Sequence, residues 1–450
     1  FFVVGVMCTL LSHTAYAIDL NKSDANIIGH VLEKKTGEHL PYMTVALKGT
    51  TIGTMTDGTG HYFLKNLPEG EFILSVSAVG YKPQERKVTL KRGKTLEENF
   101  ELEEDMVALD GVVVTANRNE TARRLAPTLV KVVTPKLFDM TNSHTLSQGL
   151  VFQPGVRVEN DCQNCGYSQV RINGMDGKYT QILIDSRPIF SALAGVYGLE
   201  QIPANMIERV EVVRGGGSAL FGSSAIAGTV NIITKEPLRN SGSFAHSISN
   251  FDGSGSFDNN TTLNLSLVSS DNKMGAYIYG QNRHRSAWDS NGDSFSELPK
   301  LKNQTVGVNA YYRLSPYSKL NLEYHHMEEF RRGGNRFDLP PHIAEDANLN
   351  GSGEPGLVEQ IEHSINTGGL KFSAFSKDQK HAFNAYASAQ HIVRDSYYSA
   401  YGHTTDFTGV LGAQYIYHFD KLFFMPSDLT GGVESVSYTH LRAHETGRNL

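Results

Sequence analysis

VEVVRGGGSALFGSSAIAGTVNIITK, residues 210–235, is the densest signal in the chain. A β-branched run at 209–213 breaks into three glycines, crosses a small-residue segment and returns to a second β-branched run at 229–234. That pattern predicts two strands bracketing a pliable connection. Upstream, VRINGM (170–175) and QILIDSRPI (181–189) repeat the habit of a short apolar strand ending in Gly, Asp or Pro. With short helices predicted at 145–150 and 202–207, these pieces form one small α+β domain. Arg214 and the glycines after it are not followed by the Gly-Lys-Ser/Thr of a phosphate loop. The glycines are therefore assigned to tight turns and close packing.

The order PGV (154–156), VRINGM, ILIDSRP, IERVEVVRGGGSALFGSSAIAGTVNIIT closely resembles the plug of TonB-dependent outer-membrane receptors. Four motifs in the family's order over about 80 residues make a specific match. The resemblance places a plug at 119–237 and marks Arg171, Asn173, Gly174, Asp185, Arg187, Glu208, Glu211, Arg214, Gly215, Gly222 and Gly228 as its motif residues. Arg171, Arg214, Glu208 and Glu211 are expected to pair with the barrel wall or with each other, and ligand contact is expected from outward turns at 188–197. The family implies TonB-dependent import of a scarce nutrient across the outer membrane, driven through TonB with ExbB and ExbD. An iron-siderophore or haem is the first expectation and cobalamin the next. A glycan importer paired with a surface lipoprotein, and a signalling receptor of the same family, are the alternatives. No catalytic constellation, resident cofactor or metal is expected, so the chain is not read as an enzyme.

The remaining sequence fits around that plug. The chain has 450 residues, a formal charge of −6, 43 Gly, 20 Tyr and 22 Phe; this length holds about three domains, and the mild acidity gives no support for nucleic-acid binding. Residues 1–11 are apolar and lead to Ala15-Tyr16-Ala17, the tail of a secretory signal peptide over 1–17 without its initiator Met or basic region. Cys8 lies inside that run, leaving Cys162 and Cys165 in the exported part. Compartment favours a disulfide between them; a metal or redox use of the pair is the alternative, although further ligands are not near in sequence.

From 27 to 103 short alternating segments separated by turns predict a small sandwich. On Gly29, Pro41, Gly49, Thr50, Asp57, Gly58, Gly60, Tyr62, Phe63, Gly70, Val79, Gly80 and Tyr81 this region resembles the carboxypeptidase regulatory-like domain, a transthyretin-like sandwich. A peptidase zinc set such as HExxH is missing from it, and His30, His39 and His61 read as isolated surface or turn residues. Asp57-Gly58-Thr59-Gly60 reads as a hairpin turn rather than a calcium loop.

An acidic spacer then leads to LDGVVVTANR (109–118). Leu109, Asp110, Gly111, Val112, Val113, Val114 and Thr115 look like the TonB box of the same family, an unpaired strand able to add to a partner's sheet edge. A last sandwich strand or a first plug strand is the competing reading of this run.

After Pro237 the period becomes two. Val306, Val308, Ala310, Tyr312 and Leu314 alternate with Gly307, Asn309, Tyr311 and Arg313, and the same holds around Leu263, Leu322 and Phe383. Alternation alone fits a soluble sandwich or a transmembrane barrel, and the plug decides for a barrel over 240–436 bounded by outer-membrane lipid. That span holds about eight or nine strands against the roughly 22 of a plugged transporter, so the barrel is expected to be incomplete. The long insertion 330–359 is read as an extracellular ligand-capture loop, and short turns such as 315–318 as periplasmic. Asp346, Asn348, Asn350 and Gly351 imitate the first half of a calcium loop, but position twelve is Leu357 and not the bidentate Glu, and the stretch 289–293 lacks Gly at the sixth place. His325, His326 and Met327 cannot all face one side of a strand. Residues 437–450 abandon the alternation and are read as a non-native tail. The expected fold is thus mainly β: a transthyretin-like β-sandwich, a small α+β plug domain and an incomplete antiparallel transmembrane β-barrel.

Overall fold

The computed structural model describes residues 25–41, 43–57, 59–78, 81–104, 112–113, 115, 121–122, 129–162, 167–187, 202–215, 221, 225–346, 356–378, 380–422 and 425–444. Three β units follow one another. In the first, the strand Ala25–Glu33 pairs antiparallel with His61–Leu67 and parallel with Thr95–Glu97 and Phe100–Leu102. A second sheet orders Gly53–Met55, Thr44–Leu47, Gly70–Ser77 and Gln84–Leu90. Alternate residues of both sheets, among them Ile27, Val45, Leu47, Leu64, Leu74 and Val76, close a dry core. This is a sandwich whose apolar side chains face inward because its outer faces meet water.

The plug is built on a four-stranded mixed sheet, in the order Val130–Val133, Ile207–Arg214, Gly228–Thr234, Thr180–Ile184. The two β-branched runs of the opening motif are the central antiparallel pair, with Val212 opposite Val230 and Val210 opposite Ile232. Thr180–Ile184 joins them in parallel. A separate hairpin, Val156–Cys162 with Tyr167–Ile172, and the helices Pro135–Met140 and Leu146–Leu150 complete the layer. Gly228 has φ +154, and a Cβ there would lie 2.9 Å from Ile172 Cδ1, so hairpin and sheet close only over a glycine. The plug core includes Tyr277 and Tyr279 of the next unit, so it continues into the wall beside it.

That wall is a nine-stranded antiparallel meander: Ser241–Asn250, Phe257–Val268, Met274–Arg285, Lys300–Ser315, Ser318–Gly334, Val358–Phe375, His381–Tyr398, Tyr401–Leu422 and Met425–His444. Its alternation is inverted relative to the sandwich. Leu263, Val306, Tyr312, Leu322 and Leu411 are exposed, whereas Asn303, Asn309, Arg313, Glu323, His325 and Arg331 are buried on the plug side. A sheet with its apolar face outward and its polar face inward suits lipid outside and a lined lumen inside. No helix among the described residues is long and apolar enough to cross a membrane. The sandwich abuts the short turn at 315–318, with Thr51 N–H donating to the Pro316 carbonyl at 2.9 Å.

Several boundaries differ from the sequence reading. Strand pairing consumes both ends of the predicted long loop, through Gly334 and again from Val358, because the ladder needs only backbone partners and Arg331 and Arg332 sit buried within it. For the same reason the last strand runs past Val436 to His444, paired opposite Gly402. His30, His39 and His61 are not isolated: hairpin pairing brings their rings together.

Candidate functional site

The site begins where the predicted TonB box meets the plug. Val112–Val113 forms a two-residue antiparallel ladder with Thr121–Ala122, apart from the sandwich and plug sheets. Leu109, Asp110, Gly111 and Val114 lie outside the described residues. Two residues beyond the ladder, Thr115 is buried against the central plug strands. Its N–H and hydroxyl both donate to Glu211 Oε2, at 2.8 and 2.6 Å, and its hydroxyl accepts from Asn231 Nδ2 at 3.0 Å. The other carboxylate oxygen of Glu211 accepts from Arg209 Nε at 2.9 Å. Glu211 is fully buried; a carboxylate is tolerated there because both oxygens are occupied and one partner is cationic.

Asn231 carries the connection onward. It lies directly opposite Glu211 in the central pair. Its Oδ1 accepts from Ser186 N–H at 2.9 Å, and its Nδ2 reaches Ser186 Oγ at 3.0 Å. Asp185 and Ser186 turn with positive φ of 48° and 67°, and Asp185 is tied to Thr234 through N–H and hydroxyl at 3.0 and 2.8 Å. Burial pushes the Asp185 carboxyl above its ordinary range and Glu323 adds to the rise, against the opposing effect of Arg187.

Arg187 follows immediately, almost fully buried, and forms an ion pair with Glu323 on the barrel strand Ser318–Gly334. Gly369 stands opposite Glu323 in the sheet. A Cβ there would come 2.7 Å from Arg187 Nη1, so the wall is notched to admit the guanidinium. One polar chain thus runs from the end of the box to the barrel wall: Thr115, Glu211 and Asn231, Ser186, Arg187, Glu323.

The other motif residues divide into turn-formers and local pairs. Arg171 pairs with Glu159 across its hairpin, and Glu208 with Arg209 at 2.9 Å. Asn173 and Gly174 take positive φ, as does Gly215, whose N–H donates to Ala227 at 2.8 Å. Arg214 lies over Gly155, where a Cβ would be 2.5 Å from its Nη1. Gly222, residues 188–201 and Cys165 are outside the described residues, as is the side chain of Cys162, so the predicted disulfide and the outward ligand turns fall there. Sequence reasoning marked Glu211, Asp185 and Arg187 but missed Asn231, Ser186 and Glu323. The available signal was Asn231 itself, a lone amide inside the β-branched GTVNIIT run.

The plug is held to the wall at further points. Asn205 Nδ2 donates to Asn264 Oδ1 and the Gly280 carbonyl at 2.9 and 3.1 Å, and Tyr277 donates its hydroxyl to the Asn205 carbonyl at 3.0 Å. Lys319 meets Glu236 at 3.0 Å where the plug passes into the first barrel strand.

Residues 27–114 match the CarboxypepD_reg-like domain family and residues 122–229 the TonB-dependent Receptor Plug Domain family. The chain is 32% identical over 229 residues to the vitamin B12 transporter BtuB of Vibrio vulnificus, covering 44% of this chain and 37% of that protein. To BtuB of Photobacterium profundum it is 37% identical over 128 residues, 28% of this chain and 20% of that one. Among solved structures, the siderophore receptor PirA of Acinetobacter baumannii superposes with TM-score 0.57 at 19% identity, covering 70% of this chain and 49% of that one. The alcaligin outer-membrane receptor FauA of Bordetella pertussis gives 0.56 at 14%, covering 74% and 51%. The chain spans less than two fifths of the length of these curated relatives and about half that of the structures. Identities this low in the structures speak for fold alone, and that fold is plug plus barrel. A plug match at 122–229 behind a regulatory-like match at 27–114, followed by a sheet whose apolar face points outward, supports a TonB-dependent outer-membrane receptor.

Proposed function

We propose that this receptor imports a scarce, bulky metal-chelate nutrient across the outer membrane, powered by TonB with ExbB and ExbD. The carrying observation is Thr115, which ties the end of the box to Glu211 and Asn231 in the central plug pair. A strand of two paired residues is easily surrendered to a partner's sheet edge, and tension on it reaches Thr115 next. From there Asn231 and Ser186 carry it to the turn whose Arg187 is paired with the wall. Loosening that pair is how a pull on the box would open a path beside the plug. The substrate class covers iron-siderophores, haem and cobalamin; the sequence relatives, vitamin B12 transporters, favour cobalamin.

Val113→Pro tests the mechanism, because proline removes the ladder donor and disfavours edge pairing with a partner. Cells dependent on this receptor are expected to bind radiolabelled cobalamin or ferric siderophore normally and to lose energised uptake. Uptake by Val113→Pro at the parental rate would exclude the box assignment.

A further inference from the structure

Three histidines far apart in sequence meet on one face of the N-terminal sandwich. His30 stands directly opposite His61 in the antiparallel pair, so their side chains share a face. The hairpin after Glu33 brings His39 beside Leu32, two residues along from His30 and therefore on that face too. The ring centroids lie 5.3 Å (His30–His39), 5.7 Å (His30–His61) and 4.9 Å (His39–His61) apart. For three imidazoles on one tetrahedral ion, with metal–nitrogen bonds of about 2.0–2.1 Å, the centroids should be about 5 Å apart.

The ring nitrogens are not gathered within 4.8 Å of one another, so capture requires the rings to turn on a fixed backbone. His39 and His61 are exposed and His30 half-buried, which leaves that rotation open. Gly60 keeps the cluster close: a Cβ on it would stand 2.8 Å from His39 Cβ.

His61 is already set up as a ligand. Thr59 gives its single hydroxyl proton to Asp57 Oδ1 at 2.7 Å, so toward His61 Nδ1, at 3.0 Å, the hydroxyl can only accept. His61 must therefore carry its proton on Nδ1, leaving the Nε2 lone pair outward. A carboxylate acting through a hydroxyl on a histidine is the outer-shell arrangement that fixes the tautomer of metal-bound imidazoles.

We infer that His30, His39 and His61 form a surface site for a borderline divalent transition-metal ion of the zinc(II) and copper(II) class. Three neutral imidazoles with no thiolate and no direct carboxylate select that class, and a fourth position is left for water or a partner's ligand. This site is independent of the transport reading and lies on the domain ahead of the box.

The test is a Zn2+ titration of the full chain in detergent micelles by calorimetry at neutral pH. The chain has 17 histidines, 17 − 3 = 14 of them outside the cluster, so the readout is the site lost on substitution. His39→Ala and His61→Ala should each remove one equivalent or weaken it at least about tenfold, with unchanged far-ultraviolet circular dichroism. Thr59→Val keeps all three imidazoles and frees the tautomer; a loss of about tenfold or more is expected from outer-shell removal. Should a histidine variant misfold, Thr59→Val decides. Isotherms of folded variants superimposing on the parent would overturn the site.

Discussion

The sandwich and the barrel sheet share one sequence period and bury opposite faces. In the sandwich, Val45, Leu47, Leu64 and Val76 face inward; in the barrel, Leu263, Val306, Leu322 and Leu411 face outward while Asn303, Glu323, His325 and Arg331 face the plug. Alternation therefore states that a segment is a half-buried strand and leaves open which half is dry. The surroundings settle that: water outside and apolar side chains within, or lipid outside and a polar plug within.

The sharpest way to break the comparison is at the polar inner face. Arg187→Ala leaves Glu323 buried without its cation, and a one-sided loss of a buried pair costs about 3–5 kcal/mol. Denaturant melts of the full chain should show a plug transition shifted by that amount. Arg187→Met with Glu323→Leu should recover most of it, since an apolar pair of similar bulk avoids the unpaired charge.

The outer face supplies the next largest effect. Leu322 stands opposite Ala310, in the middle of the outward apolar band. Leu322→Arg should cost about 2–4 kcal/mol of folding into lipid vesicles. Glu71→Arg on the exposed side of the sandwich should stay within about 0.5 kcal/mol in the same assay. Equal costs would mean that the two outer faces see the same solvent.

The smallest effect sharpens the sandwich side. Glu103, bridged to Lys34 and Lys82 at 2.6 and 3.0 Å, is held down to about 2 by hydrogen bonds from those two lysines. Its folded value lies below its ordinary 4.5, so its contribution is fully present above that value and fades as pH falls toward 2. Being exposed, it should shift melting only slightly. The melting difference between parent and Glu103→Gln should be flat above pH 4.5 and vanish between 4.5 and about 2. A difference unchanged down to that limit would remove the linkage.

Much of the fold was legible because its signals are local. Glycines between β-branched runs located the central plug pair, and period two located the barrel strands. What stayed hidden depends on long-range placement. Thr115 and Glu211 are 96 residues apart, and Thr115 and Asn231 are 116; nothing in either segment names the other. His30, His39 and His61 looked solitary because their meeting depends on strand register and on a hairpin. The barrel strands ran past their predicted ends because a ladder requires backbone partners and not apolar side chains.

The most direct test of the central claim, that Thr115 couples the box to the plug, is energised uptake by Thr115→Val beside Thr115→Ser. Valine keeps the shape and the backbone donor but removes the hydroxyl that bridges Glu211 and Asn231, whereas serine retains it. The coupling predicts unchanged ligand binding in both, parental uptake for Thr115→Ser and uptake reduced at least about tenfold for Thr115→Val, a loss of about 1.4 kcal/mol or more in transmitted coupling. Import by Thr115→Val at the parental rate would contradict it.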